Sequence, residues 1–173
     1  MKKALIVIAC IAIAVIAIGF FSNQEDRSLP QGIMADRVLV EKRARKLTLY
    51  REGRLLKAYQ VSLGKQPVGK KTEEGDGRTP EGVYSIDRRK MKSTFHRALH
   101  ISYPNRGDLA QAKARGISPG GDIMIHGLFN GLGFLGKLHL VDDWTAGCIA
   151  VTNPQIEEIW RTVPDGTKVD IVP

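Results

Sequence analysis

Cysteine is scarce in this chain: there are two in 173 residues, and only Cys148 lies beyond the first two dozen. A disulfide-stapled fold is thereby excluded, because Cys148 has no partner within the domain. Aromatic residues make up only 6 %. Nowhere do they interleave with basic residues as a stacking platform for single strands would require, so nucleic acid is excluded as a partner. No close Cys or His pair that includes Cys148 has zinc spacing, and no segment repeats. The one glycine-rich spacing, GLGFLG (Gly131 to Gly136), lacks the following helix and acidic residue of a dinucleotide site, and reads as a tightly turning loop. No metal and no cofactor are expected.

What is present begins with two lysines and an apolar run from Ala4 to Phe21. Eighteen residues at about 1.5 Å each give roughly 27 Å of helix, close to a bilayer core. Residues 1–23 are read as a membrane anchor or signal peptide. Cleavage after Ala17-Ile18-Gly19 and a lipoprotein processed at Cys10 are the alternatives. Lys2 and Lys3 precede the run and Glu25 and Asp26 follow it, which places the remainder outside the cytoplasm, in the periplasm or cell-wall space. Residues 24–34, containing QEDRSLPQG, read as a linker, and residues 35–173 as one domain.

Without Lys2 and Lys3, 24 basic residues face 18 acidic ones, about +6 in all. Anionic wall polymers or lipid headgroups suit such a surface, and plain solubility is the simpler account. The runs KRARK (Lys42 to Lys46) and RRKMK (Arg88 to Lys92) read as solvated edges or turns.

RVLVE, KLTLYR and RLLKAYQVSLG are β-rich, with a Glu52-Gly53 turn joining the last two into a hairpin. A long Gly- and Pro-rich loop follows, then strands EGVYSID and ALHISYP, and a short helix LAQAKAR capped by Asp108. DIMIHG is another strand. Asn153-Pro154 starts the helix QIEEIWRTV, and KVDIVP closes the chain as a strand. The tally is six to eight strands and two or three short helices. The expected fold is mostly β with short helices, a sheet sandwich or half-open barrel, preceded by one N-terminal transmembrane or signal helix.

Cys148 is either a small buried residue or a nucleophile. Thiol catalysis needs a base, a group that orients it and donors for an oxyanion. His126 ends DIMIHG and is followed by glycine, so its ring can project from a rigid strand edge; a satisfied strand histidine is the alternative. Cys148 follows Gly147, whose N–H and its own can face a carbonyl. A neighbouring imidazole is expected to lower the thiol pKa. His96 and His100, four apart, offer a weak zinc pair only.

The pair IHG (Ile125 to Gly127) and TAGCIAV (Thr145 to Val151), 22 residues apart from His126 to Cys148, resembles the signature of L,D-transpeptidase catalytic domains of the YkuD type. GDGRTPEGVYSI is similar to the turn and strand of that family, and D-W-T-x-G-C resembles a murein-processing branch of it. The resemblance implies a β-rich fold with peptidoglycan stem peptides as partners. It makes Cys148 the nucleophile, His126 the proton acceptor and donor, the Gly127 carbonyl the orienter of the imidazole, and the Gly147 and Cys148 N–H groups the oxyanion donors. The implied reaction cleaves the L-Dap-to-D-Ala bond and passes the acyl group to an amine; carboxypeptidase or murein-lipoprotein amidase action at the same site is the alternative. A non-catalytic wall-binding module is a reading of another class. Ala146 departs from the histidine usual before Gly-Cys. Thr145, Tyr103, Trp144 and Arg106 are the candidate substrate contacts, with Lys65 and Arg78 for carboxylates and Asp142 or Asp143 for an ammonium.

Overall fold

The computed structural model describes residues 28–173. Eight strands make one sheet: β1 (Arg37–Glu41), β2 (Lys46–Arg51), β3 (Arg54–Gln60), β4 (Gly82–Ser93), β5 (His96–Ile101), β6 (Met124–His126), β7 (Ile149–Ala150) and β8 (Lys168–Val172). Two helices, α1 (Arg106–Ala114) and α2 (Asn153–Thr162), and a kinked 3-10 segment (Gly133–Val141) complete it.

Alternation sets the first strands. Val38 and Val40 of β1 and Leu47 and Leu49 of β2 are fully buried, as a period of two demands of a half-buried sheet. Glu52 and Gly53 both have positive φ, +51° and +74°. Consecutive left-handed residues match a tight hairpin turn to the strand twist.

The strand order is β3-β2-β1-β8-β4-β5-β6-β7. β8 returns between β1 and β4, parallel to β1 and antiparallel to β4, and β6 pairs parallel with β7. Strand β4 belongs to both halves of the sheet. Its start, Gly82 to Ser85, pairs with β8, and its remainder pairs with β5 across register shifts at Ile86/Arg88 and Lys90/Ser93. Such bulges bend and twist a strand. Beyond β3, Ser62 bridges Ala150 and Gly64 bridges Thr145, so the chain leaving one edge of the sheet reaches the strand at the other.

The expected fold class is corrected at its N-terminal end. Among the described residues no helix is long and apolar enough to cross a membrane, so the domain is a mostly-β fold with short helices and no spanning helix. The expected membrane or signal helix, residues 1–23, lies outside the described residues, and localisation by such an anchor is withdrawn with it. The stretch read as linker is, from Ser28, laid along α2. Ser28 Oγ and the Leu29 N–H donate to Glu158, and Arg161 donates to the Leu29 carbonyl.

Both basic runs are more engaged than solvated edges. Lys42 is 2 % exposed and donates to the carbonyls of Gly69 and Thr79 and to Glu81, clipping the long loop to the sheet. Arg89 donates to Asp165 and to the carbonyls of Trp160 and Val163 at the end of α2. Helix caps also shift by a residue or more. Thr152, not Asn153, caps α2 in a capping box with Gln155, and Asn105 caps α1 with Asp108 as its third residue. The Asn153 side chain instead accepts the Leu128 N–H, holding the loop that leaves His126.

Candidate active site

His126 and Cys148 are brought together by strand register. β6 and β7 run in parallel with Ile125 opposite Ile149 and His126 opposite Ala150. Neighbouring strands lie about 4.8 Å apart, so Cys148, one residue ahead of β7, sits at the flank of β6. Both residues line two clefts. The larger, about 690 Å³, is walled by Phe95, Phe129, Trp144, Thr145 and Ala146, with Lys65, Lys71 and Glu74 at its rim. The smaller, about 440 Å³, carries Lys90, Lys92, Asp122 and Met124, and the clefts share Phe95, His126 and Cys148.

His126 is 3 % exposed. Its Nδ1 lies 2.7 Å from the Gly127 carbonyl. A carbonyl only accepts, so Nδ1 holds the proton and Nε2 is left bare as an acceptor. Burial pulls this imidazole down to about 4, outweighing the Gly127 bond, which favours the protonated form. Phe95 covers one side of the ring at 4.4 Å and Trp144 meets it edge-on at 5.8 Å.

The Cys148 thiol is pushed up rather than down, contrary to the expected lowering by a neighbouring imidazole. Burial is the main cause; Asp122 adds to it, while the Met124 N–H and the cations Lys71 and Lys90 oppose it. The S–H donates to the Asp122 carbonyl at 3.6 Å. Thiol and imidazole are therefore both neutral near pH 7.

Gly147 has φ +128°, and a Cβ there would meet the Arg78 carbonyl oxygen at 2.5 Å. Only glycine lets the chain pass so close to the long loop. Its N–H donates to Thr145 Oγ1 at 3.1 Å, and that hydroxyl donates to the Cys148 carbonyl at 2.8 Å. Thr145 thus braces the turn and engages the Gly147 N–H, whereas the Cys148 N–H has no acceptor among the described residues. A Cβ at Gly127 would lie 2.7 Å from Asn153 Oδ1, so that glycine too is fixed by packing.

The loop wall facing Cys148 is held by a buried ion pair. Burial alone would raise the Asp76 carboxyl, but Lys71 at 2.8 Å and the N–H groups of Thr72, Arg78 and Glu73 hold it below its ordinary value.

Of the candidate substrate contacts, Thr145 and Trp144 line the larger cleft, as does Lys65. Tyr103 lies in the core, edge-on to Tyr84 and donating to the Pro119 carbonyl, and Arg106 stands in the first turn of α1, outside both cleft linings. Asp143 is committed to Arg45 and the Leu63 N–H. His96 and His100 diverge, to Glu157 and Asp87. Among the described residues no cluster of three metal-ligating side chains forms. Sequence reasoning missed Phe95, the Asp122 carbonyl and Lys71. Nothing in STFH marks Phe95 as a cover for a ring thirty-one positions away.

A buried strand-end imidazole beside a thiol, opening on two clefts at the rim of a mostly-β domain, is the kind of site a catalytic domain carries. The chain belongs to the YkuD family of L,D-transpeptidase catalytic domains, whose family model matches residues 35–171. It is 29 % identical over 177 residues to YafK of Escherichia coli strain K12, a protein whose own L,D-transpeptidase assignment is provisional, covering 94 % of this chain and 64 % of that one. The structure resembles the helical cell shape determining protein Pgp2 of Campylobacter jejuni, with TM-score 0.61 and 26 % identity over 91 % of this chain and 54 % of Pgp2. It shares its fold with Bd1075 of Bdellovibrio bacteriovorus, at TM-score 0.57 and 23 % identity over 87 % of this chain and 52 % of the other. The chain thus spans under two thirds of the relative from Escherichia coli and about half of each of these solved proteins.

Proposed function

We propose that this chain is a thiol-dependent enzyme of peptidoglycan stem peptides. Cys148 attacks the carbonyl joining the L-centre of Dap to D-Ala in a tetrapeptide stem, and His126 Nε2 takes the thiol proton. The tetrahedral oxyanion meets the Cys148 N–H, with Gly147 supplying the close backbone approach. The imidazolium returns its proton to the departing amine of D-Ala, leaving a thioester on Cys148. An amine of a second stem, or of a protein to be attached, then resolves the thioester with His126 again as base.

The observation that carries this reading is the imidazole's tautomer. With Nδ1–H held by the Gly127 carbonyl at 2.7 Å, the bare Nε2 is left as the proton acceptor in a cleft it shares with the only thiol of the domain. Two clefts meeting at that pair accord with a donor stem on one side and a second reactant on the other.

A second reading is hydrolysis, the thioester being resolved by water. The charge of the smaller cleft favours it. Lys90 and Lys92 line that side, against one carboxylate, Asp122, that Arg88 and Lys90 already engage. A cationic acceptor is disfavoured there and a neutral water is not.

The test is incubation with a disaccharide tetrapeptide followed by mass spectrometry. A 3-3 crosslinked dimer supports transfer, and tripeptide alone supports hydrolysis. Intact tetrapeptide, with the protein still co-sedimenting with sacculi, supports a wall-binding module instead. Cys148→Ala and His126→Ala should each abolish turnover, and activity retained in either variant refutes the assigned roles.

A further inference from the structure

His139 is a buried histidine that the mechanism leaves unused. It lies in the 3-10 segment, 9 % exposed, and its ring meets two groups. Trp144 Nε1 donates to Nδ1 at 3.4 Å, and Ser62 Oγ, with one proton to give, stands 3.2 Å from the same nitrogen and 2.9 Å from the His139 backbone carbonyl. An indole N–H only donates, so His139 Nδ1 is bare and Nε2 carries the proton. That Nε2 has no partner among the described residues. It is the tautomer opposite to that of His126, and it is selected by the tryptophan.

Ser62 is itself anchored. It bridges Ala150, and Ala150 pairs with His126 across β6 and β7. The chain of contact therefore runs from the sheet through Ser62 and His139 to the Trp144 indole, and from there to the His126 ring. Trp144 meets that ring edge-on at 5.8 Å and lies 6.0 Å from Phe95, its other cover.

We propose that His139 is a positioning residue: by accepting the indole N–H at Nδ1 it holds Trp144 against His126 and keeps water from the base. Proximity alone leaves an indole free to swing toward the open cleft it lines. A single directed acceptor on its far side, fixed to the same strands as the base, removes that freedom. The depressed titration of His126, about 4, is what a dehydrated ring produces. This inference rests on His126 being the base, but its test needs no turnover.

The experiment uses NMR on the full chain and compares wild type with His139→Phe, His139→Asn and Trp144→Phe. Asparagine places an amide oxygen near the position of Nδ1, whereas phenylalanine fills the space without an acceptor. Both remove the imidazole charge, and Trp144→Phe keeps an aromatic wall while removing the donor. Cys148 and the charges around the clefts, Lys65, Lys71, Glu74, Lys90, Lys92 and Asp122, are unchanged in all of them. His126 should titrate near 4 in wild type and in His139→Asn. In His139→Phe and Trp144→Phe it should rise by about one pH unit or more toward its ordinary 6.5. The Trp144 indole N–H should exchange with solvent about tenfold faster in His139→Phe than in His139→Asn. If His139→Phe does not fold, Trp144→Phe carries the same comparison from the donor's side. The proposal is overturned if His126 titrates as in wild type in Trp144→Phe, or if His139→Asn moves it as far as His139→Phe. Absence of turnover in wild type with these titrations as expected would refute the catalytic reading and leave the positioning intact.

Discussion

Mild acid should unfold this domain, and two imidazoles set the window. His126 and His139 are each lowered from 6.5 to about 4, in both cases chiefly by burial. A histidine that is neutral when folded and protonates when unfolded contributes its full stability above the unfolded pKa and loses it as pH falls toward the folded one. The cost of keeping each ring neutral is about 1 kcal/mol at pH 5.5 and about 2 to 3 kcal/mol at pH 4.5. Two such rings give a loss of about 5 kcal/mol at pH 4.5, comparable to the whole stability of many domains. The lowered carboxyls act elsewhere. Asp76, Glu158 and Asp170 are held down by hydrogen bonds and ion pairs that outweigh their burial. Their contribution is complete above the ordinary carboxylate range and is lost only below it. Urea unfolding at pH 7, 5.5 and 4.5 should show the midpoint falling steadily, with nearly two protons taken up on unfolding at pH 5.5. His126→Gln should halve that uptake. A midpoint unchanged from pH 7 to 5, or a His126→Gln slope equal to wild type, would refute the argument.

Three substitutions test other parts of the frame. Gly147→Ala places a Cβ 2.5 Å from the Arg78 carbonyl oxygen at φ +128°, and should cost about 2 kcal/mol or more by thermal melting. Glu158→Ala leaves Lys57 without its 2.7 Å ion pair in a nearly dry site and releases Ser28 and Leu29. A loss of about 3 kcal/mol is expected, with new protease cleavage before Ala35. Phe95→Ala uncovers the imidazole it stacks on at 4.4 Å; the His126 titration should rise toward 6.5, as followed by NMR.

Where the sequence was legible, local rules agreed with the fold. Alternation placed β1 and β2, and Glu52-Gly53 placed the turn between β2 and β3, because each is decided within a few residues. The histidine and the thiol were legible as a motif, and register explains their meeting. The parallel seat of β8 between β1 and β4 was not, since it pairs Arg37 with Lys168 across nearly the whole domain. Long-range clasps escaped for the same reason: nothing within KRARK says that Lys42 ends on Glu81. His139 carried no signal in the sequence, because only the folded chain shows the indole at its Nδ1.

The least expected property concerns the thiol itself. An activated cysteine is commonly pictured as a thiolate paired with imidazolium, yet here burial raises the thiol and lowers the imidazole, so both stay neutral. Proton transfer must then be driven by the substrate, as the carbonyl oxygen develops charge near the Cys148 N–H. A thiol raised above its ordinary 9 is less than about 1 % thiolate at pH 7. Alkylation by iodoacetamide, followed in Cys10→Ser so that one thiol remains, should rise about tenfold per pH unit from 7 to 9 with no plateau. A rate already level between pH 6 and 8 would mean a preformed ion pair and would refute the neutral resting state. Phe95→Ala offers the converse check. Hydrating the His126 ring should raise its basicity and bring the thiolate fraction up, so that alkylation at pH 7 accelerates while peptide turnover, which depends on the dry site, declines.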